Sequence, residues 1–334
     1  MRRTIFAIGL LLVGVGCGVP QSSMRPGGPA ASNLAQIGWV TYLLFGVISF
    51  IMWVLLLWVC LRKRGSLDEH ERWDAGGGQS WILIGGFAIP FVVLCGMFVF
   101  AMERMSDFPI RDGGQVTPQI EVIGHQWWWE VHYISGGVSE HFITANEIHI
   151  PTGKPIDVLL RTADVIHSFW IPALHGKVEM IPGQPNYIRI EASQPGNYVG
   201  ECGEYCGEQH AHMRLLVVAQ PPAEYEAWRL HQLQPAAEPQ TMQAMHGRDV
   251  FNQAACALCH TVRGTVAHGM VAPDLTHIGS RQEIAANTYR NNKANLAAWV
   301  THAQSLKPGA EMPNLTEFNG PDLRALVAYL QQLQ

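Results

Sequence analysis

Two long apolar runs constrain this chain more than any other feature. Ile37 to Leu61 and Trp81 to Met102 carry almost no charged or strongly polar side chains. As helices rising about 1.5 Å per residue, each is long enough to cross a hydrocarbon core of about 30 Å. Arg62, Lys63, Arg64 and Arg72 lie between them, and positive charge concentrated in a short loop places that loop in the cytoplasm. Both ends of the mature chain then face outward, with everything after Met102 on the oxidising side. Of 334 residues only 15% are charged and 48% are hydrophobic, which fits two soluble modules joined to membrane segments. The net charge of −5, without any basic stripe, leaves no nucleic-acid footprint.

Arg2 and Arg3 precede the run Ile5 to Gly16, too short to span a bilayer but suited to the core of a signal peptide. It ends at Val15-Gly16-Cys17, which resembles a lipoprotein cleavage site with Cys17 as the lipidated residue. Gly14 stands where such sites usually carry leucine, so an ordinary signal peptide is the competing reading. Cys60 and Cys95 read as small side chains of the membrane segments.

From Val116 to Ala219 the pattern changes to short alternating strands, among them Gln119–Ile123, Ile156–Leu160 and Tyr187–Ile190. Turn residues separate them, which reads as an all-β sandwich or barrel. Within it lies Cys202-Gly-Glu-Tyr-Cys206-Gly-Glu-Gln-His210-Ala-His-Met213. Two thiolates, an imidazole and a thioether in one loop are soft ligands that suit copper better than magnesium or calcium. A disulfide or a zinc site would also use the cysteine pair, but methionine is a poor zinc ligand. Two cysteines can bridge two metals if each metal gains an imidazole, and Asp164-Val-Ile-His167 upstream supplies a candidate for the second.

These residues resemble the dinuclear copper (CuA) site of cytochrome c oxidase subunit II. The resemblance also covers Gly124-His-Gln-Trp127-Trp-Trp129, Ile181-Pro182-Gly183 and the two preceding helices, about residues 34 to 219. It implies a cupredoxin-like sandwich behind a transmembrane hairpin. In that family pattern Cys202 and Cys206 bridge the coppers, and His167 and His210 each bind one. Met213 is a weak ligand and Glu204 contributes its backbone carbonyl. The Glu204 side chain resembles a ligand of a magnesium ion shared with the catalytic subunit, and Trp127 matches the tryptophan through which electrons arrive. His212 falls at a variable position and reads as solvent-facing; His125, His132, His141, His149 and His175 read as structural or exposed. One departure stands out. Where many members carry a glutamate at a proton-channel mouth, this chain reads Gly76-Gly77-Gly78-Gln79-Ser80-Trp81, which puts proton entry through this subunit in doubt or leaves it to another group such as Asp74 or Glu71.

Pro221-Pro222 ends the copper module, and a polar stretch to Pro239 reads as a helical turn and linker. An amphipathic helix carrying Met245, Val250 and Phe251 then runs into Cys256-Ala-Leu-Cys259-His260. Cys-x-x-Cys-His is the attachment signature of haem c: two thiols form thioethers and the histidine ligates iron. Gly309-Ala-Glu-Met312-Pro313 resembles the methionine loop of small bacterial cytochromes c, which makes Met312 the second axial ligand over Met270. By the same likeness the Pro273 carbonyl accepts from His260 Nδ1. Gly320 to Leu330 resembles the C-terminal helix that crosses the N-terminal one.

The expected division is a signal peptide over 1–17, a transmembrane hairpin over 34–105, a cupredoxin-like module over 116–219, a linker over 220–240 and an all-α cytochrome c module over 241–334. The resemblance implies the electron-receiving subunit of a haem–copper oxidase in the bacterial inner membrane, its copper and haem modules on the outer face. Electrons would pass from haem c to the copper pair and on to haem in oxidase subunit I, where oxygen is reduced to water. Subunit I and the other oxidase subunits are the implied partners, with cytochrome c or a quinol–cytochrome c reductase as donor. Tethering a cytochrome by about 20 residues would hold it near millimolar effective concentration. A copper-bearing nitric oxide reductase subunit is the alternative.

Overall fold

The computed structural model describes residues 22–62, 75–106 and 117–334. The leader with Cys17, and Lys63, Arg64, Glu71, Arg72 and Asp74 of the basic loop, lie outside the described residues. Helix α1 (Pro29–Leu61) and the span Gly78–Ser106 are long and apolar enough to cross a membrane. The second span is built from α2 (Ala75–Trp81), a π-helical stretch (Ile82–Ala88) and α3 (Ile89–Ser106). Pro90, which has no amide hydrogen to donate, falls just after the π-helical stretch, where the regular hydrogen-bond ladder is already displaced. Large apolar side chains such as Trp53, Phe87 and Phe98 are exposed in the chain alone. A helix that is apolar all round finds its solvent in lipid.

Among the described residues, ten strands make two five-stranded sheets packed as a sandwich. The first sheet runs, in spatial order, β3 (Phe142–Ala145), β2 (Trp128–Tyr133), β1 (Ile120–His125), β5 (Ile156–Thr162) and β8 (Asn186–Ile190). The second runs β4 (Glu147–Pro151), β10 (Arg214–Gln220), β9 (Gly196–Cys202), β6 (His167–Trp170) and β7 (Val178–Met180). Successive strand side chains point to opposite faces, so β1 buries Ile120 and Val122 while Glu121 and Ile123 are partly exposed. In β2 the same alternation buries Trp129, Val131 and Tyr133. The three strands legible in the sequence, β1, β5 and β8, are neighbours in one sheet.

This topology gathers the distant ligands. β9 ends at Cys202, the loop Gly203–Met213 follows, and the chain returns as β10 antiparallel to β9. On its other side β9 pairs with β6, Phe169 opposite Cys202. His167, the first residue of β6, therefore comes to the same end of the sheet as the cysteine loop.

The expected helical turn after Pro221 is an 11-residue helix, α4 (Pro222–Gln232). Its Trp228 stacks on His149 with ring centroids 3.9 Å apart and meets the edges of Tyr133 and Phe142. Beyond it, Ala236 N donates to Arg263 O at 2.9 Å, and the Gln234 carbonyl accepts from His277 Nε2 at 3.1 Å. The connecting segment is thus fastened to the copper module at one end and to the haem module at the other.

In the haem module α5 (Met242–Gln253) begins at Thr241, whose Oγ1 accepts from Ala244 N. Ala244, Gly247 and Phe251 form its buried face, whereas Met245 is exposed. A two-stranded ribbon, β11 (Glu283–Ile284) and β12 (Tyr289–Arg290), precedes α6 (Lys293–Leu306). The last helix, α7 (Gly320–Gln332), has Asn319 as its cap and Pro321 in the first turn. It crosses α5 at Gly247, where a Cβ would stand 2.0 Å from Ala325 O. Only glycine permits that approach.

Candidate functional site

Cys202 and Cys206 are buried and free, their sulfurs 3.8 Å apart. His167 Nδ1 lies 3.8 Å from Cys202 Sγ, and His210 Nδ1 lies 3.6 Å from Cys206 Sγ. Met213 Sδ is 3.8 Å from Cys206 Sγ, and the Glu204 carbonyl accepts from Cys202 Sγ at 3.2 Å. The structure therefore brings all six of these residues to one place, the one from β6 included. A thiolate–metal bond is about 2.3 Å, so both sulfurs reach one ion and the remaining donors divide into two sets around the pair. Two thiolates, two imidazoles, a thioether and a carbonyl fit a pair of copper ions.

The surroundings hold these donors in place. Asp164 Oδ1 binds His167 Nε2 at 2.8 Å, which turns Nδ1 toward the sulfurs. Burial would raise the Asp164 carboxyl, but its bonds to His167 and to the amides of Gln126 and Val165 prevail and lower it. Burial likewise opposes charge on His167, yet Cys202 and Asp164 outweigh it and raise the imidazole. The hydrogen bond from Cys206 lowers Cys202 far below the usual thiol range, while the same contact pushes Cys206 upward. Two thiols this close do not both ionise without a cation to share, and a metal pair supplies one.

Trp127 is half-buried and its Nε1–H donates to the Cys206 carbonyl at 3.0 Å. Gln126 Nε2 donates to the same carbonyl at 2.7 Å. The Glu204 side chain is exposed. His212 is exposed and bonded to Gln209, as expected of a bystander. His149 and His175 are buried, and His125 and His132 both bond to Glu130.

In the haem module Cys256 and Cys259 share one helical turn that ends at His260. His260 Nδ1 donates to the Pro273 carbonyl at 2.7 Å, the contact expected from the sequence. A carbonyl can only accept, so Nδ1 carries the proton and Nε2 is left as the free lone pair for iron. Burial lowers the imidazole pKa and keeps it neutral, as a metal ligand must be. Met312 is half-buried against the module's core, whereas Met270 is 84% exposed. Gln304 Nε2 binds the carbonyls of Ala310 and Met312 and pins the methionine loop. Asp164 and Gln304 carry no motif of their own; only their position marks them.

The family model for cytochrome C oxidase subunit II, periplasmic domain, matches residues 132–220, and that for cytochrome c matches residues 244–334. Cytochrome c oxidase subunit 2 of Alkalihalophilus pseudofirmus is 33% identical over 322 residues, covering 94% of this chain and 91% of the relative. The subunit 2 of Bacillus subtilis is 26% identical over 338 residues, covering 96% and 94%. That of Bacillus sp. strain PS3 is 31% identical over 268 residues, covering 76% and 71%. None of these three is named a nitric oxide reductase.

Proposed function

Because the chain belongs to the cytochrome c oxidase subunit II family and carries a cytochrome c module, we propose that it takes electrons from a donor at its haem module and passes them through its copper module to haem in subunit I. The observation that carries this reading is the convergence of four donors on one sulfur pair, with His167 supplied by a different strand from the rest. Cys202 and Cys206 would hold both copper ions, His167 and His210 would take one each, and Met213 and the Glu204 carbonyl would complete the set. Cys256 and Cys259 would hold haem through thioethers, and His260 and Met312 would supply the ligands of its iron. Bound there, the copper pair and the haem supply reversible one-electron carriers.

Every side chain named has a defined task. Asp164 and the Pro273 carbonyl fix the tautomers of His167 and His260, so that neither ring has to turn when charge arrives. Trp127 joins the modules: its indole bonds to the Cys206 carbonyl, and its ring lies against Gly309 of the methionine loop. A Cβ at Gly309, whose φ is 82°, would stand 3.2 Å from that ring. Electrons leave the haem module by this face. The two apolar helices anchor the subunit in the bacterial inner membrane, and the soluble modules face outward beside subunit I. The exposed Glu204 carboxylate is free to join a magnesium ion there with groups from that partner. Cytochrome c or a quinol–cytochrome c reductase is the donor.

The test is Cys206→Ser in the complete oxidase. The near-infrared absorption of the sulfur-bridged copper pair and oxygen uptake with reduced cytochrome c should both disappear, while haem c stays attached. Retention of that absorption would overturn the bridging assignment, and a wild-type complex that reduces nitric oxide but not oxygen would overturn the function.

A further inference from the structure

The haem module is held to the copper module by a buried lysine. Lys307 follows α6 and is 3% exposed. Its Nζ donates to Trp127 O at 2.7 Å, His212 O at 3.0 Å and Ala285 O at 3.4 Å. Burial lowers the Lys307 pKa to about 7; as an ammonium group it has three donors and no acceptor, which the three carbonyls match without a carboxylate. Two of those carbonyls belong to the copper module, and both sit beside its metal donors. Trp127 bonds to Cys206, and His212 immediately precedes Met213.

A second observation lies on the same seam. Ala285, Ala286 and Asn287 are consecutive non-glycine residues at φ of 55°, 56° and 59°, a conformation that L-residues adopt at a cost. Two of the three bond across the seam: Ala286 O accepts from Arg214 N at 3.2 Å, and Asn287 Nδ2 donates to Leu215 O at 3.4 Å. Just before them, Gln282 N donates to Glu147 Oε2 at 2.9 Å and Gln282 Oε1 accepts from Asn197 Nδ2 at 2.8 Å. An unfavourable backbone run kept in place by contacts with another module is a surface shaped for docking.

We propose that Lys307, with the Gln282–Thr288 segment, is a latch that keeps the haem module docked with its methionine loop against Trp127. Lys307 is a positioning residue, and the step it serves moves one electron from reduced haem c to the copper pair, with no bond made or broken. The latch replaces the search that a merely tethered cytochrome would have to make. This rests on the function proposed above.

The test is Lys307→Met in the full chain, within the purified oxidase. The variant removes the three donors and with them the bonds to Trp127 O and His212 O across the seam, which should raise exchange of the Arg214 and Gln282 amides about tenfold. Both amides donate across the seam, and Arg214 lies in the copper module. A role confined to the stability of the haem module would equally raise exchange of amides bonded wholly inside it, such as Leu275 N to Thr261 O, which loss of the latch leaves unchanged. Electron equilibration between haem and copper after rapid haem reduction should slow by a similar factor, with both absorption spectra intact. Reduction of the copper pair by a small diffusible reductant should keep its rate. If amide exchange and equilibration both match the wild type, the latch is refuted; a wild type without copper or haem signals would instead refute the underlying function. Asn287→Gly keeps the left-handed backbone and deletes one crossing bond. It should raise exchange of the same amides to a smaller extent, and it decides the matter should Lys307→Met not fold.

Discussion

Gly247→Ala isolates the helix crossing on which the haem module is built. The added Cβ would lie 2.0 Å from Ala325 O, 2.5 Å from Ala325 C and 2.9 Å from Tyr329 Cβ. Ordinary contact needs about 3.5 Å, so α5 and α7 must separate by about 1.5 Å. The nearest two atoms are backbone, and neither can swing aside. Overpacking a well-filled core costs about 1–3 kcal/mol, occasionally more. Against this, alanine gains about 1 kcal/mol over glycine inside a helix. Because the whole of α7 must move, the strain falls at the upper end of that range, and the net loss is about 2 kcal/mol. Guanidinium unfolding of the haem-loaded chain, followed by haem absorption, should show the module's midpoint lowered by about 0.5–1 M. Gln243→Ala, at an exposed position of the same helix, is the control and should leave the midpoint nearly unchanged. An alanine variant as stable as the wild type, or more stable, would mean that propensity prevails and that the close crossing is wrong.

Three other outcomes follow from the same structure. Met312→Ala should abolish the low-spin histidine–methionine haem absorption while Met270→Ala preserves it; the reverse would reassign the axial ligand. Asp164→Asn should weaken copper retention about 10- to 100-fold, as losing the partner of a ligating histidine does, measured by competition with a copper chelator. Burial opposes ionisation of Glu130, but hydrogen bonds from His125 and His132 prevail and lower its pKa from 4.5 to about 2. Its contribution is present above pH 4.5 and is lost as pH falls toward 2, so Glu130→Gln should cost on the order of 1 kcal/mol at neutral pH after screening and flatten the acid dependence of urea unfolding in that window. An unchanged acid profile would count against this pairing.

The membrane runs, the cysteine loop and the haem signature were legible because each is a local pattern, set by helix length or by ligands a few residues apart. The three strands around Ile120, Ile156 and Tyr187 were legible because period-two alternation survives wherever one face is buried. His167 was a candidate from the need for a second imidazole and a ligand by resemblance, but 35 residues separate it from Cys202, and the pairing of β6 with β9 is what brings them together. The segment after Pro221 looked like a spacer because it is polar, yet Trp228 inside it stacks on His149 and fastens it to the sandwich. Met245, an apolar residue of the amphipathic helix, is exposed, because the helix buries Ala244, Gly247 and Phe251, three and four residues apart. Lys307 and Gln304 left no trace in sequence. A lysine near a helix end usually reads as solvated, and only the packing of two modules puts carbonyls around this one.

The central claim is that two copper ions share the sulfurs of Cys202 and Cys206. Electron paramagnetic resonance of the oxidised complex tests it most directly, because the hyperfine pattern counts the nuclei over which the unpaired electron is spread. The structure predicts one electron delocalised evenly over two coppers, with copper content to match and the pattern lost in Cys202→Ser and Cys206→Ser alike. A pattern from a single copper nucleus, or one that survives either substitution, would contradict it.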